Sequence, residues 1–155
     1  MLSASQKMVG LGLLAIFFIT IDRWFKAVAW QALDQQSLEI TSWLKIKLQL
    51  NSGVAFSLPW SAAFNFIIAL LIISLIVAWL RFKKQGQWLS AGWLLFVILG
   101  ATSNLYDRFK YGAVIDYLDL KYFSVFNLAD VLICLGALGF IWLERRRTIK
   151  KQSVA

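Results

Sequence analysis

The chain has 155 residues, of which 60% are hydrophobic and 15% are charged, and its net charge is +8. Soluble globular domains carry about 45–50% apolar and about 25% charged residues, so this composition excludes an ordinary water-soluble domain and a disordered chain. The sequence has no histidine, which excludes Ser-His-Asp and Cys-His catalysis, histidine-based zinc sites and imidazole proton shuttles.

Four long apolar stretches each approach the roughly 20 residues that an α-helix needs to cross a bilayer. They lack the polar stripe of helices in a soluble bundle, so the sequence predicts four transmembrane helices in a single domain, 1–155. The predicted helices cover about 8–30, 61–80, 88–105 and 125–143, and the outer connections cover about 31–60 and 106–124.

The distribution of lysine and arginine predicts the orientation of these helices. Nine basic residues fall on the side of the two termini and of the connection between the second and third helices, and five fall on the other side. Since cytoplasmic segments carry the excess of basic residues, both termini are predicted to be cytoplasmic. The positive net charge is then explained by topology and anionic headgroups, and no nucleic-acid partner is expected.

The first apolar stretch allows two interpretations. Lys7, the apolar run 9–21 and Ala27-Val28-Ala29 resemble a cleavable signal peptide. Cleavage would remove Asp22 and Lys26, whose four-residue spacing favours an ion pair on one helix face. The alternative is therefore a retained first helix that carries this structural ion pair.

The two outer connections carry their own patterns. Residues 38–50 alternate between apolar and polar side chains, which predicts one half-buried strand, and Asn51-Ser52-Gly53 predicts a turn after it. Residues 106–124 mix charges with four tyrosines that suit the headgroup level, which indicates an interfacial segment. These tyrosines are Tyr106, Tyr111, Tyr117 and Tyr122.

The eight acidic residues differ in their surroundings. Asp130 lies in the apolar run 126–133, and no basic residue follows it before Arg145, so its carboxylate has no counter-ion nearby in sequence. An ionisable group at membrane depth is expensive and usually functional. Five others are expected to be solvated: Asp34, Glu39, Asp107, Asp119 and Glu144.

Helical spacing groups more polar residues near the outer ends of the helices. Asn127 and Asp130 lie three residues apart and share a face. In the third helix, Gly100, Asn104 and Arg108 recur at four-residue spacing. Gly100 would let a neighbouring helix or a substrate backbone approach closely.

Asp116 has apolar flanks and would interact strongly with Asp130 if its segment folded back against the fourth helix. Two carboxylates that share a site hold one proton between them, which suits hydrolysis by an activated water. Three alternatives remain open on this evidence. They are an aspartic peptidase, a proton or ion pathway through Asp130, and a structural subunit in which the carboxyls join helices.

Five blocks occur along the chain in the order Asp22-x-x-x-Lys26, Asn51-x-Gly53-x-Ala55-Phe56, Gly100-Ala-Thr-Ser-Asn104-Leu-Tyr-Asp107-Arg108, Val114-Ile-Asp116 and Phe126-Asn127-Leu-Ala129-Asp130. Together they resemble the bacterial lipoprotein signal peptidase family, also called signal peptidase II, over nearly the whole chain. The resemblance implies an intramembrane aspartic endopeptidase that removes signal peptides from diacylglyceryl-modified prolipoproteins by cleavage before the lipidated cysteine.

The resemblance also implies roles for individual residues. Asp116 and Asp130 match the catalytic aspartate pair, while Asp22 and Lys26 match the first-helix pair, so the first helix is retained. Seven further positions match substrate-binding or site-supporting residues: Asn51, Gly53, Gly100, Asn104, Arg108, Asn127 and Ala129. No cofactor and no metal are implied.

The remaining expectations concern the setting of this site. The family implies the bacterial inner membrane, with the active site near the outer leaflet and a small extracytoplasmic β-sheet over it. A complete site in one chain suggests a monomer. The chain departs from the family at Ser103, where glycine is usual, and the added side chain is expected to narrow a helix contact without abolishing activity.

Overall fold

Four helices and a small antiparallel sheet form the computed structural model, which describes residues 3–32, 37–54, 58–59 and 62–152. The helices are α1 (Ala4–Ala32), α2 (Ala62–Lys84), α3 (Trp88–Tyr111) and α4 (Leu128–Gln152). The strands are β1 (Ser37–Thr41), β2 (Leu44–Asn51), β3 (Gly53–Val54), β4 (Leu58–Pro59) and β5 (Val114–Leu120). Four residues of the sequence predictions lie outside the described residues: Asp34, Ala55, Phe56 and Ser61.

α3 is the central helix, and α1, α2 and α4 all pack against it. The start of α1 lies beside the start of α3, because Leu11 approaches Gly92. The end of α4 lies there too, since Ser90 donates a hydrogen bond to Glu144. These contacts gather the basic segments at one end of the bundle, while the sheet and the buried charged residues lie at the other end.

Three helices are long and apolar enough to cross a membrane, namely those at Ala4–Gln31, Phe64–Lys84 and Trp88–Tyr111. Within the described ranges α4 does not meet the same criterion, because its apolar stretch is short and lies between Asp130 and the charged run that begins at Glu144. Three of the four predicted spans are therefore confirmed as helices of spanning length and composition. The crossing of α4 stays a prediction.

Glycines let α3 and α4 approach each other closely. A Cβ on Gly100 would lie 2.6 Å from the carbonyl oxygen of Ala129, and one on Gly136 would lie 2.8 Å from the Cβ of Phe96. Such distances are shorter than van der Waals contact, so only glycine fits these positions. The short separation fixes the position of the first turn of α4 along the axis of α3.

α3 extends to Tyr111, beyond the predicted end at residue 105. It ends at Gly112, whose φ of 73° lies in the left-handed region and whose N–H donates to the carbonyl of Arg108 at 3.1 Å. Glycine adopts this conformation without steric cost. The extension places Asp107 and Arg108 on a helix rather than in the outer connection.

The prediction of one strand over residues 38–50 is wrong, because this segment is a hairpin. β1 and β2 pair antiparallel, with Leu38 opposite Ile46. In the turn, the Thr41 Oγ1 accepts hydrogen bonds from the N–H groups of Trp43 and Leu44 at 3.3 and 3.1 Å. The turn contains no glycine, proline or asparagine, so the two-residue alternation continues through it without a sequence signal.

The prediction of an interfacial segment is wrong for residues 114–120, because they form β5. This strand pairs antiparallel with β2, and Gln49 lies opposite Asp116, which gives the strand order β1-β2-β5. Tyr117 is only 1% exposed, so it is buried in the protein and does not contact headgroups, whereas Tyr122 is 94% exposed. The first four residues of β5 are thus buried, and among them Asp116 carries a carboxylate against the helix ends.

Substitution of Gly136 by alanine is expected to destabilise the protein by about 1–3 kcal/mol, because the added Cβ overlaps α3. The measurement is thermal unfolding in detergent. Gly10→Ala is the matched control, since a Cβ there meets nothing within 4 Å. It should be neutral or gain up to about 1 kcal/mol from helix propensity. Equal unfolding temperatures for the two variants would contradict the close packing of α3 and α4.

Candidate active site

The structure brings Asp116 and Asp130 together through Asn127, which lies directly before α4. The Nδ2 of Asn127 donates to the Oδ1 of Asp116 at 2.7 Å. Its Oδ1 accepts from the backbone N–H of Asp130 at 3.0 Å. One side-chain amide therefore joins the carboxylate of β5 to the first turn of α4, and the predicted association of the two aspartates is seen in the fold.

Asn127 and Asp130 form a reciprocal cap at the start of α4. The Oδ2 of Asp130 accepts the backbone N–H of Asn127 at 3.2 Å, while the side chain of Asn127 caps the N–H of Asp130. This is the capping-box arrangement at three-residue spacing, and a carboxylate in the first turn also interacts favourably with the helix dipole. The local sequence thus fixes the rotamer of Asp130.

Two more asparagines donate to the aspartate pair. The Nδ2 of Asn104 donates to the Oδ1 of Asp130 at 2.7 Å, and the Nδ2 of Asn51 donates to the Oδ2 of Asp116 at 3.0 Å. With the two bonds from Asn127, each of the four carboxyl oxygens accepts a hydrogen bond from an N–H group. A proton held by the pair must therefore occupy the remaining lone-pair directions.

Burial, together with the charge of Asp130, raises the pKa of Asp116 from 3.8 to about 6, although the hydrogen bonds from Asn51 and Asn127 act in the opposite direction. The side chain is only 1% exposed. Asp116 therefore takes up a proton in mildly acidic solution. Two coupled carboxyls, one protonated and one ionised, can act as general acid and general base on the same water.

Behind the pair lies a buried ion cluster centred on Lys26. Its Nζ contacts the Oδ2 of Asp22 at 3.2 Å and the Oδ2 of Asp107 at 2.7 Å, and all three side chains are fully buried. Arg23 bonds the other oxygen of Asp107. The predicted Asp22–Lys26 ion pair is confirmed. The expectation that Asp107 is solvated is wrong, because the extended α3 turns it toward α1.

Asp22 joins α1 to three other elements. Its Oδ1 accepts from the hydroxyl of Tyr117 and from the backbone N–H of Ala129, both at 3.2 Å. Its Oδ2 accepts from the hydroxyl of Ser103 at 2.8 Å. The narrowing of a helix contact expected at Ser103 stays a prediction, and the side chain there makes this hydrogen bond between α3 and α1. Burial and the charge of Asp22 raise the pKa of Tyr117, so its phenol stays a donor.

Sequence reasoning missed Tyr117 as a part of the site. The residue directly follows Asp116, and neighbouring side chains on a strand point to opposite faces, so no local pattern links the two. Its hydroxyl accepts the N–H of Leu128 at 3.2 Å, and its ring stacks on Phe25 at 5.5 Å. Tyr117 thereby joins the sheet to α1 and α4.

The other predicted residues surround this cluster at different distances. Ala129 is fully buried, and its carbonyl packs against Gly100. Arg108 is half-buried and lies close enough to Asp130 and Asp116 for their charges to interact. Gly53 pairs with Pro59 in the two-stranded β3–β4 sheet.

The remaining predicted charges lie away from this cluster. Asp119 pairs with Lys47 at 2.9 Å, and Glu39 pairs with Lys45, both in the β1-β2-β5 sheet. Glu144 accepts hydrogen bonds from Ser90 and Arg147 at the basic end of the bundle. Among the described residues, no group of three His, Cys, Asp or Glu side chains could hold a metal ion.

Comparison with known proteins gives one consistent family. Residues 14–145 match the family model described as signal peptidase (SPase) II. The lipoprotein signal peptidase of Polynucleobacter necessarius subsp. necessarius (strain STIR1) is 33% identical, with 90% of this chain and 91% of that protein covered. The lipoprotein signal peptidase of Janthinobacterium sp. (strain Marseille) is 34% identical, with 96% and 94% covered.

The fold also matches a solved protein. The structure described as "Bacterial membrane enzyme structure by the in meso method at 2.3 A resolution" superposes with a TM-score of 0.78 and 26% sequence identity. The superposition covers 92% of each chain. The helix bundle together with its sheet is thus a known membrane-enzyme architecture.

Asp116→Asn is expected to stabilise the protein at pH 8 and to lose this advantage at pH 4. Because the pKa of Asp116 is raised from 3.8 to about 6, its contribution to stability is present at low pH and is lost as the pH rises through about 6. At high pH the ionised carboxylate lowers the free energy of unfolding by at most about 3 kcal/mol. The asparagine amide avoids this loss, although it has one hydrogen-bond acceptor fewer than the carboxylate.

The measurement is unfolding in detergent at pH 4, 6 and 8. Asp119→Asn, three residues along β5, is the control, since its carboxylate is partly exposed and paired with Lys47. The control should show no gain at pH 8. A stability difference between Asp116→Asn and the unmodified protein that is the same at all three pH values would contradict the raised pKa.

Proposed function

The chain belongs to the lipoprotein signal peptidase (signal peptidase II) family, and from this premise we propose that Asp116 and Asp130 are its catalytic residues. The family consists of aspartic endopeptidases of bacterial membranes that cleave the signal peptides of prolipoproteins. The observation that carries the proposal is the Asn127 amide, which holds the Asp116 carboxylate against the first turn that bears Asp130.

The proposed reaction is hydrolysis of the peptide bond before the diacylglyceryl-modified cysteine. The ionised carboxyl removes a proton from a water held between the aspartates, and the water oxygen bonds to the scissile carbonyl carbon. The protonated carboxyl donates to the carbonyl oxygen. When the tetrahedral intermediate collapses, the C–N bond breaks, the carboxyl that took the proton of the water gives it to the cysteine nitrogen, and a hydroxyl proton of the intermediate returns to the other carboxyl.

The three asparagines prepare this pair for catalysis in our proposal. Asn51, Asn104 and Asn127 occupy one lone-pair direction on each carboxyl oxygen, so the others stay directed toward water and substrate. Fixed donors do not reorganise during the reaction, which is how preorganised sites lower the barrier. The positive charge of Arg108 nearby balances the carboxylate that is ionised.

The substrate would approach along an apolar face of α4. Cys134 lies one turn after Asp130 on the same face and is exposed, and Leu138, another turn on, is 66% exposed. In a bilayer such a surface contacts lipid chains or an apolar helix. The signal peptide of a prolipoprotein is an apolar helix, so its end would meet the aspartates at the end of the bundle.

The sheet would complete the site from the outer side of the membrane. Its hairpin exposes large apolar side chains at Leu38, Ile40 and Trp43. An exposed apolar patch indicates a surface that binds lipid or protein. We assign this patch to the diacylglyceryl chains of the substrate and to the headgroup region.

We further propose that residues 1–155 act as one monomeric domain of the inner membrane, with α4 as a fourth crossing. The described chain carries both aspartates, and its basic segments lie at the end opposite to them. The excess of positive charge then places both termini in the cytoplasm and the aspartate pair near the outer leaflet.

Asp116→Asn and Asp130→Asn are each expected to reduce cleavage by about 10³-fold or more, because a neutral amide cannot exchange the proton that the mechanism needs. The assay follows release of the signal peptide from a purified diacylglyceryl-modified precursor by gel shift. Asp119→Asn is the matched control and should retain full activity. Normal cleavage by either active-site variant would remove the aspartate pair from the mechanism and leave a proton pathway or a structural role.

A pair of reporter fusions tests the fourth crossing. Alkaline phosphatase, which is active only outside the cytoplasm, is fused after Ser124 or after Gln152, on either side of α4. We expect activity from the first fusion and none from the second. Activity from both would show that α4 does not cross the membrane, even though the other helices do.

A further inference from the structure

The ammonium group of Lys26 reaches the aspartate pair through one side-chain amide. Its Nζ donates to the Oδ1 of Asn104 at 2.8 Å, and the Nδ2 of Asn104 donates to the Oδ1 of Asp130 at 2.7 Å. Lysine has three N–H donors and no acceptor, so only the oxygen of the amide can face it. The NH₂ group of Asn104 must then face Asp130.

We propose that Lys26 is a positioning residue for the aspartate pair, which locks Asn104 so that its NH₂ group always donates to Asp130 and favours the ionised form of that carboxyl. The proposal rests on the proposed function and adds an assignment to it. Asp130 is the carboxylate that acts as base, and Asp116 holds the shared proton.

The lock is rigid because every donor of Lys26 is used. Its three partners are Asp22, Asn104 and Asp107, and its side chain is fully buried. Asp22 and Asp107 are themselves held by other donors, including Tyr117 and Ser103 for the first and Arg23 for the second. The ammonium therefore cannot rotate to release Asn104 without breaking a buried ion pair, which is costly.

The charges that face Asp130 decide how a change at Lys26 acts. From α1 they are Asp22 and Lys26, from α3 Arg108, and from β5 Asp116. Loss of Lys26 removes one of the two cations, leaves Arg108 as the other, and leaves the carboxylates of Asp22 and Asp116 in place. Asp130 then becomes harder to ionise, so the acid limb of the pH–rate profile moves to higher pH.

The test is a double-mutant cycle with Lys26→Gln and Asn104→Leu, read as kcat and KM against pH. Each single variant is expected to lower kcat by about tenfold to a hundredfold at pH 6, to change KM little, and to move the acid limb up by about one pH unit. Since Lys26 acts through Asn104, the double variant should show little further loss beyond the single variants.

Ser103→Ala is the matched control. It removes the hydrogen bonds of the Ser103 hydroxyl with Asp22 and Arg23 but leaves those of the Asn104 side chain with Lys26 and Asp130, so it should lower the unfolding temperature and leave the pH profile in place. Asn104→Leu keeps both ion pairs of Lys26, so it tests the lock even if Lys26→Gln does not fold.

The outcomes separate this inference from the proposed function. Two results would overturn the positioning role of Lys26. One is an acid limb that does not move in Asn104→Leu, and the other is a loss of kcat in the double variant equal to the product of the two single-variant losses. The aspartate pair would still be catalytic in that case, because its test is the loss of cleavage in the Asp→Asn variants. A shifted limb with non-additive losses would support the lock.

Discussion

The buried ammonium of Lys26 is the interaction on which the rest of the site depends. A lysine and two aspartates without solvent contact, in helices that suit a membrane, are tolerable only if each charge is paired and hydrogen-bonded. The ion pair between Lys26 and Asp107 joins α1 to α3. The Oδ1 of Asp22 also accepts hydrogen bonds from Tyr117 in β5 and Ala129 in α4. The desolvation cost of the cluster therefore enforces the relative positions of four elements.

This constraint explains how two distant carboxylates become a pair. Asp116 lies on a strand and Asp130 on a helix, so neither local propensity nor periodicity relates them. Tyr117 anchors β5 to Asp22 on one face of the strand, which leaves Asp116 on the other face. The N–H of Ala129 donates a hydrogen bond to the same carboxylate, which positions the start of α4 beside β5. The side chain of Asn127 is then long enough to hydrogen-bond both Asp116 and the backbone of Asp130.

The sequence was informative where the signal is local. Apolar length predicted the helices, four-residue spacing predicted the Asp22–Lys26 pair, and three-residue spacing predicted the shared face of Asn127 and Asp130. It failed where long-range contacts decide. The hairpin turn at residues 42–43 contains no glycine, proline or asparagine, and β5 looked interfacial because its polar side chains are satisfied only by distant partners. Asp107 looked solvated because its two cations lie on another helix.

The ion cluster around Lys26 accommodates Ser103 at a position where the family usually has glycine. The resemblance puts glycine at this position, where α3 passes α1, and a larger side chain there could have forced the helices apart. The hydroxyl instead donates to Asp22 at 2.8 Å and accepts from Arg23 at 3.4 Å. It therefore adds a donor to a buried carboxylate and an acceptor to a partly buried cation. A polar side chain is accommodated here because the contact between the helices is itself polar.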